Sequence, residues 1–315
     1  MLIAALATVC TLSATDPPVF PYRSPVLREL ITESCTITQT PDPARFERDF
    51  TPKLAEGLGM PYDAWVANAK LQLKGLRGPA LATRRRALGG EAWRAIKQSI
   101  RKFSLDRGFE FANVINTGER QCLLQSVLIA SFLHDTGTPA GLVMVWENPR
   151  GQRSFLGHVA VMLPLDAERS IIVDASEKVP FVTSGGIFAR TEGRYRFLRP
   201  AYNAAGEIVE VSGGRQRWPS KRVLPLTWGY TRSMFHFYRG ERAPDGYAFT
   251  PSTDSGLETS RRWLRKSVAY DASNVLAWHV MAIVERKLGL ATAAATAQRS
   301  ARLTAAAGGW PQPGR

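Results

Sequence analysis

The chain has 315 residues, of which 44% are apolar, 10% aromatic and 22% charged, a balance that excludes a disordered or low-complexity chain over most of its length. Its 41 Lys and Arg against 27 Asp and Glu give a net charge of +14, which favours attraction to nucleic acid, anionic lipid or an acidic cell envelope without choosing among them. Three cysteines, Cys10, Cys35 and Cys122, make no disulfide framework, and beyond the N-terminus no apolar run reaches the roughly 18 residues needed to span a membrane.

The N-terminal stretch "MLIAALATVCTLSATDPP" reads as a short secretory signal peptide over residues 1-15, with cleavage near Ser13 or Ala14. It predicts a secreted, periplasmic or envelope protein. The alternative is the untidy N-terminus of a cytoplasmic one, since no Lys or Arg precedes the apolar run. Residues 23-105 form a basic region that predicts helices at "SPVLRELITES" and "DAWVANAKLQLKGL". A third is predicted at "TRRRALGGEAWRAIKQSIRKFSL", where Trp93, Ile96, Ile100 and Phe103 make an apolar stripe. Arg84, Arg85, Arg86, Arg94, Lys97, Arg101 and Lys102 surround that stripe. They read first as a solvated face and second as a contact for a polyanion.

The pattern changes over residues 106-248. One apolar helix is expected from Cys122 to Leu133, closed at "HDTG" by Gly137 in a left-handed cap. Strands are expected at Ala140 to Trp146, Phe155 to Leu163 and Ser170 to Ser176, the last two joined by a hairpin at "PLDAER". Further short strands are expected at "RYRFL", "EIVEVS" and the aromatic "SMFHFY" around His236. The predicted layout is α+β, a helix packed on an antiparallel sheet, flanked by helical N-terminal and C-terminal segments. Residues 255-306 predict three helices broken at "DASN" and at Leu288-Gly289. Trp278, Ala282, Gly289, Ala294 and Ala301 in this segment resemble a tetratricopeptide repeat, with Glu285 and Gln298 standing where aromatics are usual. Such a segment serves either as a site for a protein partner or as a helical cap on the middle block.

Within the middle block Cys122, His158 and Asp174 follow one another in order. A thiol nucleophile needs a lowered pKa, which a helix N-terminus and an adjacent imidazolium supply. Cys122 is expected at such an N-terminus, His158 in mid-strand, and Asp174 at the end of the neighbouring strand. A carboxylate there would fix the imidazole tautomer. Each residue alone has a plain structural reading: a buried small side chain, a core histidine, a turn aspartate. No HExxH, CxxC, GxxxxGK[ST] or GxGxxG spacing occurs, so neither a metal nor a nucleotide cofactor is predicted. His134 is read as a residue serving the C-terminal dipole of its helix.

"GERQC" before an apolar helix, "TGTPAGLVMV", "GHVAVML" and "VDAS" together resemble the transglutaminase-like (papain-like) superfamily of cysteine enzymes over roughly Gly118 to Ser176. The resemblance implies a papain/transglutaminase-like core in which Cys122 is the nucleophile, His158 the base and Asp174 the orienting acid. The substrate would then be a peptide or protein whose amide or acyl bond is hydrolysed or transferred. For the oxyanion, the Cys122 main-chain N–H is the expected donor, with Gln121 or Asn116 as side-chain candidates. The rival expectation is a catalytically idle scaffold that binds a protein partner through the C-terminal helices.

Overall fold

A computed structural model describes residues 20–148 and 150–309, so the expected signal peptide at 1-15 lies outside the described residues. Four helices open the described chain: α1 Pro25–Ile37, α2 Arg45–Leu58, α3 Tyr62–Leu73 and α4 Gly78–Ser99. Ser24 caps α1 by accepting the Leu27 N–H, and Pro25 suits the first helical position because its missing N–H would have had no partner there. A short strand β1 (Lys102–Phe103), helix α5 (Phe111–Asn116) and strand β2 (Glu119–Arg120) then lead into α6, Cys122–Asp135. After α6 come β3 Gly141–Glu147, β4 Arg153–Pro164, β5 Ser170–Val173, β6 Phe181–Val182, β7 Gly186–Thr191, β8 Arg194–Tyr202, β9 Ile208–Gly213 and β10 Gln216–Pro219. Helices α7 Trp228–Glu241, α8 Asp254–Tyr270, α9 Val275–Lys287 and α10 Ala291–Gly308 complete the described chain.

The eight strands β3 to β10 form one antiparallel sheet in the order β10-β9-β8-β7-β3-β4-β5-β6. A further pairing of Ser170 with Ile208 joins β5 to β9 and closes six of them, β3, β4, β5, β9, β8 and β7, into a barrel. Strand alternation then divides the apolar residues between two cores. Val143, Val145, Ala160, Met162, Ile172, Ile187, Leu198 and Val211 fill the barrel, whereas Met144, Trp146, Val159, Val161, Leu163 and Val173 face outward into a larger cluster shared with the helices. Helix α6 is buried on every side from Cys122 to Leu133, as expected of a helix with no polar face. It packs between the outer face of β3 and β4 and helix α4. Gly89 lets α4 approach the sheet, since a Cβ there would stand 2.7 Å from Leu163 Cδ2. The mixed α+β layout with a helix against an antiparallel sheet is therefore present, and the sheet closes on itself.

Several local expectations need correction. "SMFHFY" belongs to helix α7, not to a strand. Thr227 caps this helix by accepting the Tyr230 N–H, and His236 stacks on Tyr270 at 4.8 Å and Trp263 at 5.5 Å between centroids. Phe103 does not continue the stripe of α4. The helix stops at Ser99, and Phe103 lies on β1, 51% exposed. The strand expected over Ser170 to Ser176 ends at Val173. The basic residues of α4 are also less solvated than their pattern suggests. Arg85 donates to the Pro164 and Leu165 carbonyls, Arg86 donates to the Ala205 carbonyl and pairs with Glu207, and Arg84 pairs with Glu91 at 2.7 Å. The first two fasten α4 to the barrel.

The C-terminal helices dock on α7. Asn274 donates to Ser233 Oγ at 2.9 Å, Ser267 Oγ donates to the Ser233 carbonyl at 2.7 Å, and Asp271 accepts from Tyr195 of β8 at 3.3 Å. Glu285, at an aromatic position of the repeat pattern, is buried and paired with Arg261 Nε at 3.1 Å. Among the described residues no helix is long and apolar enough to cross a membrane.

Candidate active site

Cys122 is the first residue of α6, where the main-chain N–H groups lack carbonyl partners within their own helix and the helix dipole favours an anion. Gln121 is the N-cap, its side-chain oxygen accepting the Leu123 N–H at 3.4 Å. His158 comes from β4 and Asp174 from the residue just after β5. The β4–β5 register sets Val161 against Val173 and Pro164 against Ser170, which leaves His158 and Asp174 on a diagonal rather than directly opposite. The side chains bridge the offset: His158 Nε2 stands 2.5 Å from Asp174 Oδ2. His158 is hydrogen bonded in turn to the Cys122 thiol. The structure thus brings together all three residues singled out in the sequence.

Burial disfavours the charged forms of both Cys122 and His158. For His158, the Asp174 carboxylate overrides that penalty, with Cys122 assisting, and holds the imidazole protonated well above its ordinary value. For Cys122, the hydrogen bond and charge of His158 override it, with the Val159 main chain assisting, and the thiol lies below its ordinary value. Both directions describe a thiolate beside an imidazolium. The Cys122 residue is 6% exposed and the His158 side chain 25%, so the pair is shielded yet reachable. It opens into a cleft of about 190 Å³ lined by Phe103, Leu105, Gln121, Ser176, Tyr238, Glu241 and Arg242.

A second set of buried polar groups fixes these elements in register. Arg120, two residues before Cys122, donates to the Ile100 carbonyl at 2.6 Å, to Gln125 Oε1 and to the Ala175 carbonyl at 3.4 Å. Gln125 donates onward to Ser176 Oγ at 2.8 Å, and Ser126 Oγ donates to the Val159 carbonyl at 3.0 Å. Trp93 Nε1 donates to the Asp174 carbonyl at 2.9 Å, and the Ser176 N–H donates to Asp174 Oδ1 at 2.8 Å. The helix carrying the thiol is therefore tied to the strands carrying the histidine and the aspartate.

Tyr238 was not legible as a site residue. Its hydroxyl lies 3.7 Å from Cys122 Sγ, donates to the Gly157 carbonyl at 2.7 Å and is hydrogen bonded by the Gln121 side chain. Gly157 itself has φ +71°, and a Cβ there would stand 2.6 Å from Leu276 Cδ1. Two separate demands therefore fix glycine beside His158. Gln121 lines the cleft, whereas Asn116 donates to Thr40 Oγ1 at 2.9 Å and is not part of it. His134 bonds the Ala140 carbonyl at 3.0 Å, and burial lowers its pKa, so it does not supply the cation expected at the end of α6. Among the described residues no three His, Cys, Asp or Glu side chains converge to hold a metal ion.

Comparison with protein-family models, with curated proteins and with solved structures finds no match for this chain.

Proposed function

We propose that the protein is a thiol enzyme of transglutaminase-like type that acts on an amide or other acyl bond as a peptidase, amidase or acyl transferase. The observation that carries this reading is the contact chain of Cys122 at the start of α6, His158, and Asp174 at 2.5 Å from it, opening on a cleft. In the proposed reaction the Cys122 thiolate attacks the carbonyl carbon, and the charge developing on the carbonyl oxygen is met by the Cys122 main-chain N–H, with the Gln121 amide as the side-chain candidate. The His158 imidazolium gives its proton to the leaving nitrogen or oxygen, leaving an acyl thioester on Cys122. His158 then takes a proton from water or from an amine, which attacks the thioester and returns the thiolate. Asp174 holds the imidazole orientation and its positive charge through both halves.

The resemblance of "GERQC", "GHVAVML" and "VDAS" to the transglutaminase-like superfamily supports the same reading, as does the order in which the three residues occur, at a helix start, within a strand and just past the next strand. A secreted or envelope location is proposed from the sequence of residues 1-15 alone. The test is incubation with a peptide library followed by rapid acid quench and intact-mass measurement. An acyl adduct on Cys122 that is missing from Cys122→Ala supports the proposal, and product formation undiminished in Cys122→Ala refutes it.

A further inference from the structure

The cleft contains a carboxylate that the proposed reaction does not use. Glu241, the last residue of α7, is 2% exposed and lines the same cleft as Cys122 and His158. It follows Tyr238 by three residues, so the two side chains share one face of the helix. Glu241 Oε2 has no hydrogen-bond partner among the described residues. The nearest guanidinium nitrogen is Arg242 Nε at 3.4 Å, itself without a hydrogen bond, and Arg242 also pairs with Asp106 at 3.4 Å. Burial pushes the Glu241 carboxyl above its ordinary value and Arg242 opposes that only in part, so a cation that enters the site and bonds this oxygen would complete its pairing. Phe103 and Leu105, 51% and 47% exposed, stand on the same cleft and give it an apolar wall.

We infer that Glu241 is a specificity residue, receiving an ammonium group of the substrate whose apolar portion lies over Phe103 and Leu105. The acyl donors that fit are amine-bearing, such as a peptide with a free amino group near the reactive carbonyl. The inference rests on Cys122 being the nucleophile, and it adds what the cleft selects. The rival anchor is Arg242, which would instead draw a carboxylate.

The test uses three alkyl methanethiosulfonates that differ in charge: aminoethyl, ethyl and sulfonatoethyl. The Cys122 thiolate attacks the sulfenyl sulfur, a mixed disulfide forms and methanesulfinate leaves, so no oxidant is needed. Rates at Cys122 are followed by mass in full-length protein carrying Cys10→Ala and Cys35→Ala, each normalised to the rate with free cysteine. We expect the order aminoethyl, ethyl, sulfonatoethyl, with the first about tenfold ahead of the second, as for one charge-assisted hydrogen bond in a partly open cleft. Glu241→Gln should bring the aminoethyl-to-ethyl ratio close to one. Arg242→Gln, which keeps Glu241, should raise it. Equal wild-type rates, a preference for sulfonatoethyl, or a cation preference that survives Glu241→Gln would each overturn the inference while leaving the thiol reading intact. A Cys122 that the ethyl reagent does not label overturns the thiol reading, and the inference with it.

Discussion

Replacing His158 with alanine tests the central electrostatic feature directly. In the folded protein the thiol is lowered against the pull of burial because an imidazolium is hydrogen bonded to it. At about 4 Å and an effective dielectric near 20, such an ion pair is worth about 4 kcal/mol. Burial opposes the thiolate in both proteins, so removing His158 forfeits the whole pair, which is up to roughly a thousandfold in thiolate population at a pH below the ordinary thiol range. The assay is the rate of iodoacetamide alkylation at Cys122, read from the mass of its peptide so that Cys10 and Cys35 do not interfere. Wild-type protein should alkylate readily at about pH 6.5, and His158→Ala should lose up to roughly a thousandfold there and regain the rate only above about pH 9, because burial still raises its thiol. Equal rates for the two proteins at pH 6.5, or a wild-type thiol that reacts only above about pH 8.5, would refute the ion pair.

Three further outcomes follow from the same contacts. In Cys122→Ala the His158–Asp174 pair persists, and His158 holds its proton more tightly folded than unfolded. Its contribution is complete below the ordinary histidine value of about 6.5 and is lost as pH rises through the elevated folded value. Urea midpoints of Cys122→Ala should therefore fall as pH rises above about 6.5, with Asp174→Asn flattening the slope; a flat profile before that second change contradicts the assigned charge. Gly157→Ala should destabilise by about 2–4 kcal/mol from left-handed backbone and the clash with Leu276. Adding Leu276→Ala should then cost less than it does alone, because it relieves the clash, and strict additivity in urea titrations would dismiss the steric part. Tyr238→Phe removes the donor to the Gly157 carbonyl and should cost about 1–2 kcal/mol, whereas an unchanged urea midpoint would mean that this hydrogen bond adds nothing.

The convergence of Cys122, His158 and Asp174 was legible because its parts are local. The apolar run from Leu123 to Leu133 could only be a buried helix, the residue before the run falls at its N-terminus, and the β4–β5 hairpin turns at "PLDAER", which places His158 near Asp174 whatever the rest of the chain does. Barrel closure was not legible, because it depends on the single pairing of Ser170 with Ile208, and neither strand carries a local signal for a partner so far along the chain. Helix α7 misled for a different reason. Residues 229–231 and 233–241 are all buried, so no polar face reveals a period of 3.6, and the alternation in "SMFHFY" imitates a strand.

That misreading has a functional consequence. The groups that make a thiolate come from α6, β4 and the end of β5, whereas the groups that shape the opening come from β1, its following loop and α7. Phe103 and Leu105 reach the cleft because α4 stops at Ser99, and Tyr238 and Glu241 reach it because α7 is wedged between the sheet and the C-terminal helices. Helices α8 and α9 therefore bear on the site without touching the thiol: Ser267 and Asn274 hold Ser233 on α7, and Leu276 abuts Gly157 beside His158. The buried Glu285–Arg261 pair stands where the repeat pattern usually has an aromatic and joins α9 to α8 within the helical segment, whereas the links of Ser267 and Asn274 to Ser233 join that segment to α7.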